Sequence, residues 1–283
     1  MAHKLAGLFI AFAVLAVLFW ILQALWPSVR GQKALRKGFF TDCVYWLWTP
    51  VVTHAITPIA VAVALLPLAA LYGTSLRTLV HGHGFLAAQP LWVQGLEIFV
   101  VGDFLGYWQH RMFHGRGLWP FHAIHHSSAE LDWLSSVRLH PVNDAVSRFI
   151  VAVPLVVAGF NTTVVAIYAP FLTFYAIMIH ANVAWDYGPF RYVLASPAFH
   201  RWHHTSAEEG LNRNFSGGLP LWDLLFATFY MPKGRQPTAF GIADPVPTGF
   251  IGQMIAPFLG TRPASAERKF RHSPETQARL RHN

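Results

Sequence analysis

Charged side chains are scarce in this 283-residue chain: Asp, Glu, Lys and Arg make up only 12% of it, whereas 54% of the residues are hydrophobic. A soluble domain usually carries charge on about a quarter of its residues, so this chain has too few charges to cover an aqueous surface. The composition excludes an ordinary soluble globular protein and predicts an integral membrane protein.

Cysteine is almost absent as well, because Cys43 is the only one in the chain. A single thiol excludes an internal disulfide framework and is consistent with a site that faces a reducing compartment. The sequence also lacks a G-x-G-x-x-G motif and a basic–aromatic nucleic-acid-binding module, although its formal net charge is +8. We therefore expect no fused flavin or haem module and no nucleic-acid partner.

Long apolar runs, by contrast, recur along the chain. The first, Leu5–Trp26, contains no charge, is long enough to cross the hydrocarbon core, and is too long for a signal-peptide core. Four more spans are expected at residues 44–71, 93–108, 141–160 and 163–179. The first of these four contains three prolines, which indicate one kinked span, with a re-entrant hairpin as the alternative.

The charges beside the first span predict the orientation in the membrane. Arg30, Lys33, Arg36 and Lys37 follow that span with no acidic residue among them. By the positive-inside rule this loop is cytoplasmic and the N-terminus lies outside, and we expect the bacterial inner membrane. Counting the spans from this loop places every clustered histidine of the chain on the cytoplasmic face.

The chain is expected to form one membrane domain, residues 1–283. Within it we distinguish the N-terminal spans (1–92), a histidine-box catalytic core (93–230), and a C-terminal segment with a basic tail (231–283). The tail, 262–283, has six Lys and Arg against two Glu. Docking of an acidic electron donor and contact with anionic lipid headgroups explain this tail equally well.

Histidines gather in two short stretches. The stretch "WQHRMFHGRGLWPFHAIHHSS", residues 108–128, holds five of them, and "FHRWHHTS", residues 199–206, repeats the H-x-x-H-H spacing of 122–126. Neutral imidazole is a common metal ligand, so clustered histidines indicate a metal site. The alternative is an aromatic and polar interfacial belt without metal.

Helical spacing indicates how these side chains converge. Asp103, Tyr107, His110 and His114 are three or four residues apart and share one face of a helix. The Asp103 carboxylate is expected to accept a ring N–H from a ligand and so fix its tautomer, with Tyr107 as a second supporting residue. In H-x-x-H-H, the first two histidines lie one turn apart, and the third diverges by about 100°, consistent with a second metal.

Two isolated histidines, His140 in "RLHP" and His180 in "IMIHANV", lie at the cytoplasmic ends of spans and are expected to complete the set. His54, His81 and His83 are interpreted as structural, and His3, His272 and His282 as solvated. The ten predicted ligands are His110, His114, His122, His125, His126, His140, His180, His200, His203 and His204.

Ten imidazoles suit two metal ions with about five ligands each, which leaves one octahedral position open for a small molecule such as O2. Structural zinc usually takes four ligands, so the set favours iron or another redox metal. The Glu-x-x-His pairs of soluble di-iron bundles are absent from this sequence.

These motifs resemble the sterol desaturase and fatty acid hydroxylase superfamily of membrane di-iron enzymes. The resemblance runs from Asp103 to about Thr228, through "DFLGYWQHRMFH", "LWPFHAIHHSS", "VRLHP", "HANV", "SPAFHRWHHTS" and "NFSGGLPLWDLLFATF". It is most specific in the order of these motifs and in the eight-residue gap between His114 and His122. Members of the superfamily use iron and O2, with electrons from a separate donor, to hydroxylate or desaturate lipid C–H bonds.

The resemblance implies that the eight clustered histidines are ligands, and it implies the same less directly for His140 and His180. Some relatives have another histidine four residues after the position of His180, where this chain has Ala184. Asn182 acting through a water, or nine histidines with another group, would complete such a site. Residues 212–228 are expected to form part of a cap on the membrane, with Trp222 and Asp223 in structural roles.

The function predicted is an O2-dependent di-iron oxidoreductase that hydroxylates or desaturates a lipid, supplied by an external ferredoxin- or cytochrome-type donor. Sterol, carotenoid, acyl chain, ether lipid and sphingoid base all fit an apolar tunnel, and zinc is expected to replace iron in some overexpressed protein. The alternatives are a histidine-ligated membrane hydrolase and a non-catalytic lipid- or metal-binding protein. A metal transporter is disfavoured because the histidines cluster at one face.

Overall fold

The computed structural model describes the backbone of residues 2–259 and the side chains from residue 5 onward. The predictions for the basic tail, for His272 and His282, and for the side chain of His3 fall outside the described residues. Within residues 2–259 the fold is helical, and the only β-type pairings are two isolated bridges, Pro27 with Val183 and Thr205 with Phe240.

The α-helices, in chain order, are α1 (Ala2–Leu25), α2 (Phe39–Tyr72), α3 (Leu76–Leu79), α4 (Gly84–Ala88), α5 (Leu91–Phe113), α6 (Trp119–His126), α7 (Pro141–Ser147), α8 (Val153–Ala158), α9 (Thr162–His180), α10 (Pro197–His203), α11 (Leu221–Leu225) and α12 (Phe250–Ile255). A π-helical turn, Arg148–Ala152, joins α7 to α8. Short 3₁₀ helices are formed by Trp133–Val137, Gly188–Tyr192, Glu208–Gly210 and Ala256–Phe258.

Four helical segments of the described chain are long and apolar enough to cross a membrane. They are Leu5–Leu25, Phe39–Tyr72, Pro141–Ala158 and Thr162–His180. The all-α membrane fold predicted from the sequence is therefore confirmed. The predicted span at 93–108 does form a helix, α5, but α5 is not among the four, so the fifth span stays a prediction.

The second apolar run forms one continuous helix, α2, despite its three internal prolines. The re-entrant hairpin considered for this run is therefore absent. Glycines in the left-handed conformation flank the helix, Gly38 at φ 86° and Gly73 at φ 60°. Such a conformation suits glycine because it has no Cβ to clash with the backbone.

The loop that joins α8 to α9 fixes the end of the molecule remote from the clustered histidines. Gly159 ends α8 at φ 109°, and a Cβ there would lie 2.2 Å from the carbonyl oxygen of His83. The amide of His83 donates to the Gly159 carbonyl at 3.0 Å, and the amide of Thr162 donates to that of Val80 at 3.1 Å. This end therefore joins the segment before α5 to the turn between α8 and α9, and the other ends of these helices carry the histidines.

Near the histidine end, an aromatic core joins α1, α2 and α9. Trp133 stacks on Phe19 with ring centroids 5.6 Å apart and meets Trp46 edge-on at 6.1 Å. Ile177 of α9 packs into the same cluster. Aromatic pairs of this kind contribute about 1 kcal/mol beyond their buried area, so this core fixes the helix that carries His180.

A buried ion cluster lies beside that core. Arg138 donates through Nε and Nη2 to the two oxygens of Asp42, at 2.6 and 2.9 Å. Arg36 donates to Asp42 at 2.8 Å and also to Asp132. Buried charges persist only when paired and hydrogen-bonded, so this cluster ties the start of α2 to the loops on both sides of Trp133–Val137.

Candidate metal centre

Four helix ends bring histidines together at one end of the fold. His110 lies in the last turn of α5, and His114 is the residue that follows this helix. His180 ends α9, while α6 and α10 carry the two H-x-x-H-H motifs. The Ser196 side chain caps α10 by accepting a hydrogen bond from the amide of Phe199 at 3.1 Å, and this cap fixes the residue at which α10 begins.

Five of the histidines form one group, hereafter the five-histidine group. Its members are His110, His114, His122, His126 and His203, whose candidate ligand nitrogens all lie within 4.8 Å of one another. The Nε2 atom of His122 lies 3.1 Å from that of His110 and 3.2 Å from that of His126. The Nε2 atoms of His126 and His203 are 3.1 Å apart.

Four more histidines form a second group, hereafter the four-histidine group. Its members are His125, His180, His200 and His204, and their candidate ligand nitrogens also lie within 4.8 Å of one another. The Nε2 atom of His180 lies 3.1 Å from that of His125 and 3.0 Å from that of His200. The rings of His126 and His204, one from each group, stack with centroids 4.3 Å apart, so the two groups are adjacent.

These spacings fit nitrogen ligands around a metal. With metal–nitrogen bonds of about 2.1 Å, ligands at right angles lie about 3.0 Å apart, and ligands at the tetrahedral angle about 3.4 Å apart. The observed separations of 3.0–3.2 Å are closer to the right-angled arrangement. Each group is therefore a candidate site for one metal ion.

Each H-x-x-H-H motif contributes to both groups, but not in the way that the spacing predicted. In α6, the first and third histidines, His122 and His126, share the five-histidine group, and His125 enters the other. In α10 the pattern is reversed, because His200 and His204 share the four-histidine group and His203 crosses over. Residues four apart are closer to one helix face than residues three apart here, so the middle histidine diverges instead of the last one.

Backbone carbonyls set the tautomer of three of these histidines. The Nδ1 atoms of His110 and His203 lie 2.7 Å from the carbonyl oxygens of Phe215 and Arg213, and Nδ1 of His180 lies 2.6 Å from that of Ala176. A carbonyl can only accept, so Nδ1 of each ring must carry the proton. The Nε2 lone pair of each ring is then free to bind a metal.

Two asparagines have the same effect on other rings. Nδ1 of His122 lies 3.1 Å from Oδ1 of Asn143, and Nδ1 of His114 lies 3.3 Å from Oδ1 of Asn212. Sequence reasoning missed Asn143 and Asn212. Asn143 lies three residues after His140, and Asn212 lies just before the last motif, but no spacing rule assigned either of them a partner.

Residues 212–228, here called the cap loop, supply three of these five acceptors, all to the five-histidine group. Asp223 is fully buried and accepts the amides of Phe215 and Ser216 at 2.8 and 2.9 Å. Asn214 donates to the Phe199 carbonyl at 2.8 Å, which ties the cap loop to α10. Burial raises the pKa of the Asp223 carboxyl, and the three donors that surround its oxygens, including the Thr228 hydroxyl at 2.6 Å, offset that cost.

Asp103, expected to bind a ligand ring, instead anchors the cap loop. Its oxygens accept the amides of Gly218 and Leu219, both at 2.7 Å. The expected contact fails because Asp103 lies two turns before His110, where the cap loop crosses α5. Tyr107, on the same face, hydrogen-bonds to the Thr228 hydroxyl at 3.1 Å and accepts from Arg111 at 3.0 Å.

His140 and Asn182 do not enter either group. His140 Nδ1 accepts the amide of Val142 at 3.1 Å and Nε2 donates to the Met254 carbonyl at 3.2 Å, so His140 caps α7 with both nitrogens engaged. The Asn182 side chain pairs with the amide and the carbonyl of Val29, at 2.8 and 2.9 Å. His54, His81 and His83 also lie outside both groups.

Burial keeps the clustered rings neutral. Loss of solvent, reinforced by neighbouring imidazoles, lowers the pKa of His122, His126 and His204 well below the ordinary value. The same causes lower the pKa of His125 and His200. Neutral imidazole is the form that binds metal, so the protein environment favours ligation at neutral pH.

Arg201 supports the site from the opposite face of α10. Its guanidinium is fully buried and donates through Nη1 to the carbonyls of Leu131, at 3.0 Å, and Ala181, at 3.4 Å. It also lies over the Phe240 ring, with 4.5 Å from the guanidinium carbon to the centroid. Burial lowers the pKa of Arg201 to about 9. Because Ala181 follows His180, Arg201 fixes α10 relative to the end of α9.

Residues 95–228 match the model of the fatty acid hydroxylase family. An ornithine lipid hydroxylase of Rhizobium tropici is 31% identical over 179 residues, which cover 63% of this chain and 54% of that protein. The alkylglycerol monooxygenase of Homo sapiens is 31% identical over 151 residues, covering 53% of this chain and 33% of the relative. A very-long-chain aldehyde decarbonylase of Oryza sativa subsp. japonica is 29% identical over 139 residues, covering 44% and 21%.

The chain thus spans about half the length of the bacterial relative and about a third of the human one. No solved structure matches it. The matched region contains all nine histidines of the two groups, the Asp103 anchor and the cap loop. In these residues, and by these relatives, the chain resembles the sterol desaturase and fatty acid hydroxylase superfamily.

Proposed function

We propose that this chain is a membrane-bound oxygenase that uses two iron ions and O2 to hydroxylate or desaturate a C–H bond of a lipid. One observation carries the proposal: nine imidazoles, eight of them buried, converge in two adjacent groups in which neighbouring Nε2 atoms lie 3.0–3.2 Å apart. Nine histidines exceed the eight ligands that two structural zinc ions need.

The nine clustered histidines are the proposed ligands, five for one ion and four for the other. When bound, the two irons would supply activation of O2 and removal of hydrogen from the substrate carbon. The four-histidine group has one nitrogen fewer, so a position for a small molecule is expected there. His140 is left out of this ligand set because both of its nitrogens are engaged elsewhere.

The protein residues have three tasks in this proposal. The carbonyls of Ala176, Arg213 and Phe215 hold protons on Nδ1 of their histidines, so Nε2 faces the metal. The surrounding helices bury the rings and exclude bulk water, which protects an oxidising site from side reactions. The apolar helices keep a lipid substrate within reach of the histidine end.

The names of the relatives support a lipid substrate, because two of them are named for lipid hydroxylation and alkylglycerol oxidation. We propose electrons from a separate ferredoxin- or cytochrome-type donor, since residues 2–259 contain no recognisable haem or flavin module. The proposed location is the bacterial inner membrane, with the N-terminus outside and the histidines facing the cytoplasm. A single membrane domain is also proposed, and the family match, 95–228, lies inside the histidine core predicted at 93–230.

The test combines metal analysis with product analysis. The protein is expressed with added iron, purified in detergent, and compared with a His125→Ala/His203→Ala variant, which removes one ligand from each group. About two ions per wild-type chain are expected, with large losses in the variant. Incubation with bacterial lipids, a reductant and ¹⁸O₂ is expected to give a lipid that carries ¹⁸O or has lost two hydrogens.

A metal content that the double variant does not change would contradict the ligand assignment. A zinc-loaded protein that cleaves an ester without consuming O2 would replace the oxygenase with a metallohydrolase. Tight lipid binding without any metal would indicate a non-catalytic lipid-binding protein.

A further inference from the structure

A cavity of ≈ 440 Å³ lies beside α6, outside both histidine groups. Three segments line it: the start of α2, the residues that follow α6, and the segment 242–253. Ser127, one of the lining residues, directly follows His126 in the chain, so the cavity begins next to a proposed ligand. Its volume is in the range of small-molecule sites, about 300–1,000 Å³.

The charged residues that line this cavity are mainly cationic. Arg36, Lys37 and Arg138 line it, and the one acid among the lining residues, Asp244, accepts from the indole of Trp119 at 3.1 Å. Arg36 and Arg138 are held in place by the buried carboxylates described above. The side chain of Lys37 is exposed and forms no ion pair within residues 5–259. Lys37 therefore contributes a positive charge to the lining of the cavity.

Arg36 has unused hydrogen-bonding capacity as well. Its side chain is fully buried, and its Nε atom has no acceptor among the described residues. Leaving a buried charged donor without an acceptor costs free energy, and an anion in the cavity would reduce that cost.

The first turn of α2 adds backbone donors to the same wall. Phe40 and Thr41 line the cavity, and their amides have no acceptor within the described part of the chain. The N-terminus of a helix attracts anions, because its free N–H groups and its dipole are both positive. The amide of Lys37, just before this turn, already binds a carboxylate, that of Glu130, at 3.0 Å.

Apolar residues form another part of the lining. Phe39, Val246 and Pro247 line the cavity, and the Phe40 side chain is 77% exposed. The segment of α2 that is long and apolar enough to cross a membrane begins at Phe39, so we expect the cavity near the boundary between lipid and water. A ligand with an anionic head and an apolar body matches both parts of this lining.

We propose that this cavity binds the anionic group, a phosphate or a carboxylate, of the headgroup of the lipid substrate. The proposal rests on the proposed function only in taking the bound lipid to be the substrate. Lys37, the Arg36 guanidinium and the first turn of α2 bind the anion, while Phe39 and Phe40 contact the apolar part. The chain is then selective for anionic lipids over neutral ones with the same acyl chains.

The test measures equilibrium lipid binding to the purified full chain by native mass spectrometry. The probes are phosphatidic acid, diacylglycerol with the same acyl chains, and inorganic phosphate. Lys37→Glu is compared with Lys33→Glu, an identical charge change four residues earlier, at an exposed residue that does not line the cavity. Lys37→Glu is expected to lower the affinity for phosphatidic acid on the order of ten-fold and to leave diacylglycerol binding unchanged.

Equal effects of the two substitutions would overturn the inference, because they would show general surface attraction and no specific site. Diacylglycerol binding as tight as that of phosphatidic acid would overturn it too. Inorganic phosphate that binds as tightly as the lipid and is equally sensitive to Lys37→Glu would reassign the cavity to a soluble anion.

Binding does not require metal, so this result is independent of the proposed function. Selective binding in a chain that oxidises no lipid removes the oxygenase proposal and keeps the anion site. Conversely, if the chain oxidises lipid but Lys37→Glu leaves its affinity for phosphatidic acid unchanged, the oxygenase proposal is kept and the anion site is removed.

Discussion

Replacing His125 by alanine removes one nitrogen from the four-histidine group and leaves the five-histidine group intact. We expect bound metal to fall from about two ions per chain to about one, because three imidazoles hold an ion much less tightly than four. Metal analysis of the purified variant measures this directly. The exclusion of bulk solvent around the site is preserved, so the remaining ion is expected to stay bound.

His140→Ala is the matched control, since it replaces a nearby buried histidine that lies in neither group. Its metal content is expected to equal that of the wild type, and its stability to fall by about 1 kcal/mol through loss of the α7 cap. Loss of an ion in His140→Ala, with no loss in His125→Ala, would reverse the ligand assignment.

Asn143 gives a second prediction at a single residue. Asn143→Leu removes the acceptor for Nδ1 of His122, and metal affinity is expected to fall by about 10–100-fold, as for other partners of ligating histidines. Asn143→Asp keeps an acceptor at the same place and is expected to restore most of the affinity. Competition with a chelator measures both, and equal affinities for the leucine and aspartate variants would show that Asn143 has only a packing role.

Nine of the ten histidines predicted from the sequence lie in the two groups, because repeated motifs at helical spacing identify side chains that converge. His140 is an exception for a physical reason: a histidine before a helix can accept the first amides of that helix, and the sequence "RLHP" fits this role equally well. The hydrogen bonds to the carbonyls of Ala176, Arg213 and Phe215 could not be predicted, because every residue type has a backbone carbonyl and the sequence does not show which one a histidine will contact.

The cap loop and α5 act together, and Asp103 is the side chain that joins them. Asp103→Ala leaves the amides of Gly218 and Leu219 without their acceptor. The carbonyls of Arg213 and Phe215 then lose their fixed position, so we expect weaker binding at the five-histidine group than at the four-histidine group. The measurement is stepwise removal of metal by a chelator, in which one ion should leave distinctly earlier than in the wild type.

Glu97→Ala is a suitable control, because it removes another carboxylate from α5, one that accepts a hydrogen bond from the Gln89 side chain and none from the cap loop among the described residues. Its chelation profile is expected to match that of the wild type. If Asp103→Ala lowered the binding affinity of both ions equally, a local effect through the cap loop would be contradicted.

Apolar length was sufficient to predict α1, α2 and α9 as helices, and the turn between α8 and α9 followed from "GFN". The path of the cap loop did not follow from the sequence. It depends on the buried contacts that Asp103, Asn214 and Asp223 make with other parts of the chain. Such contacts are determined by the whole fold, and no local sequence pattern predicts them.

The protein as a whole is expected to become less stable in mild acid. Burial lowers the pKa of His122, His126 and His200 well below the ordinary histidine value of about 6.5. Below about pH 6.5 the unfolded chain therefore binds more protons than the folded chain, and the free energy of unfolding falls as the pH falls. Protons also compete with metal for Nε2, so bound metal acts in the same direction.

The measurement is thermal unfolding of metal-free protein in detergent between about pH 7.5 and pH 5, with metal release followed in parallel on loaded protein. We expect the Tm to be constant above about pH 7 and to fall steadily below about pH 6.5. A Tm that rises on acidification would mean that the buried rings are protonated in the folded state.

For the molecule as a whole, counting the apolar spans from the basic loop predicted that the clustered histidines lie at one end, and the structure places them together at one end. The number of membrane crossings could not be decided in the same way. α5 is long enough to cross but carries Glu97, Asp103 and Arg111, and its environment depends on the helices that surround it.

The crossed contribution of the two H-x-x-H-H motifs links the loading of the two groups. Binding of one ion at the five-histidine group orders α6 and α10 together, since it takes nitrogens from both. The same ordering places His125, His200 and His204 for the second ion, so the second binding step costs less entropy than the first. Loading of the five-histidine group would therefore raise the affinity of the four-histidine group for its own ion.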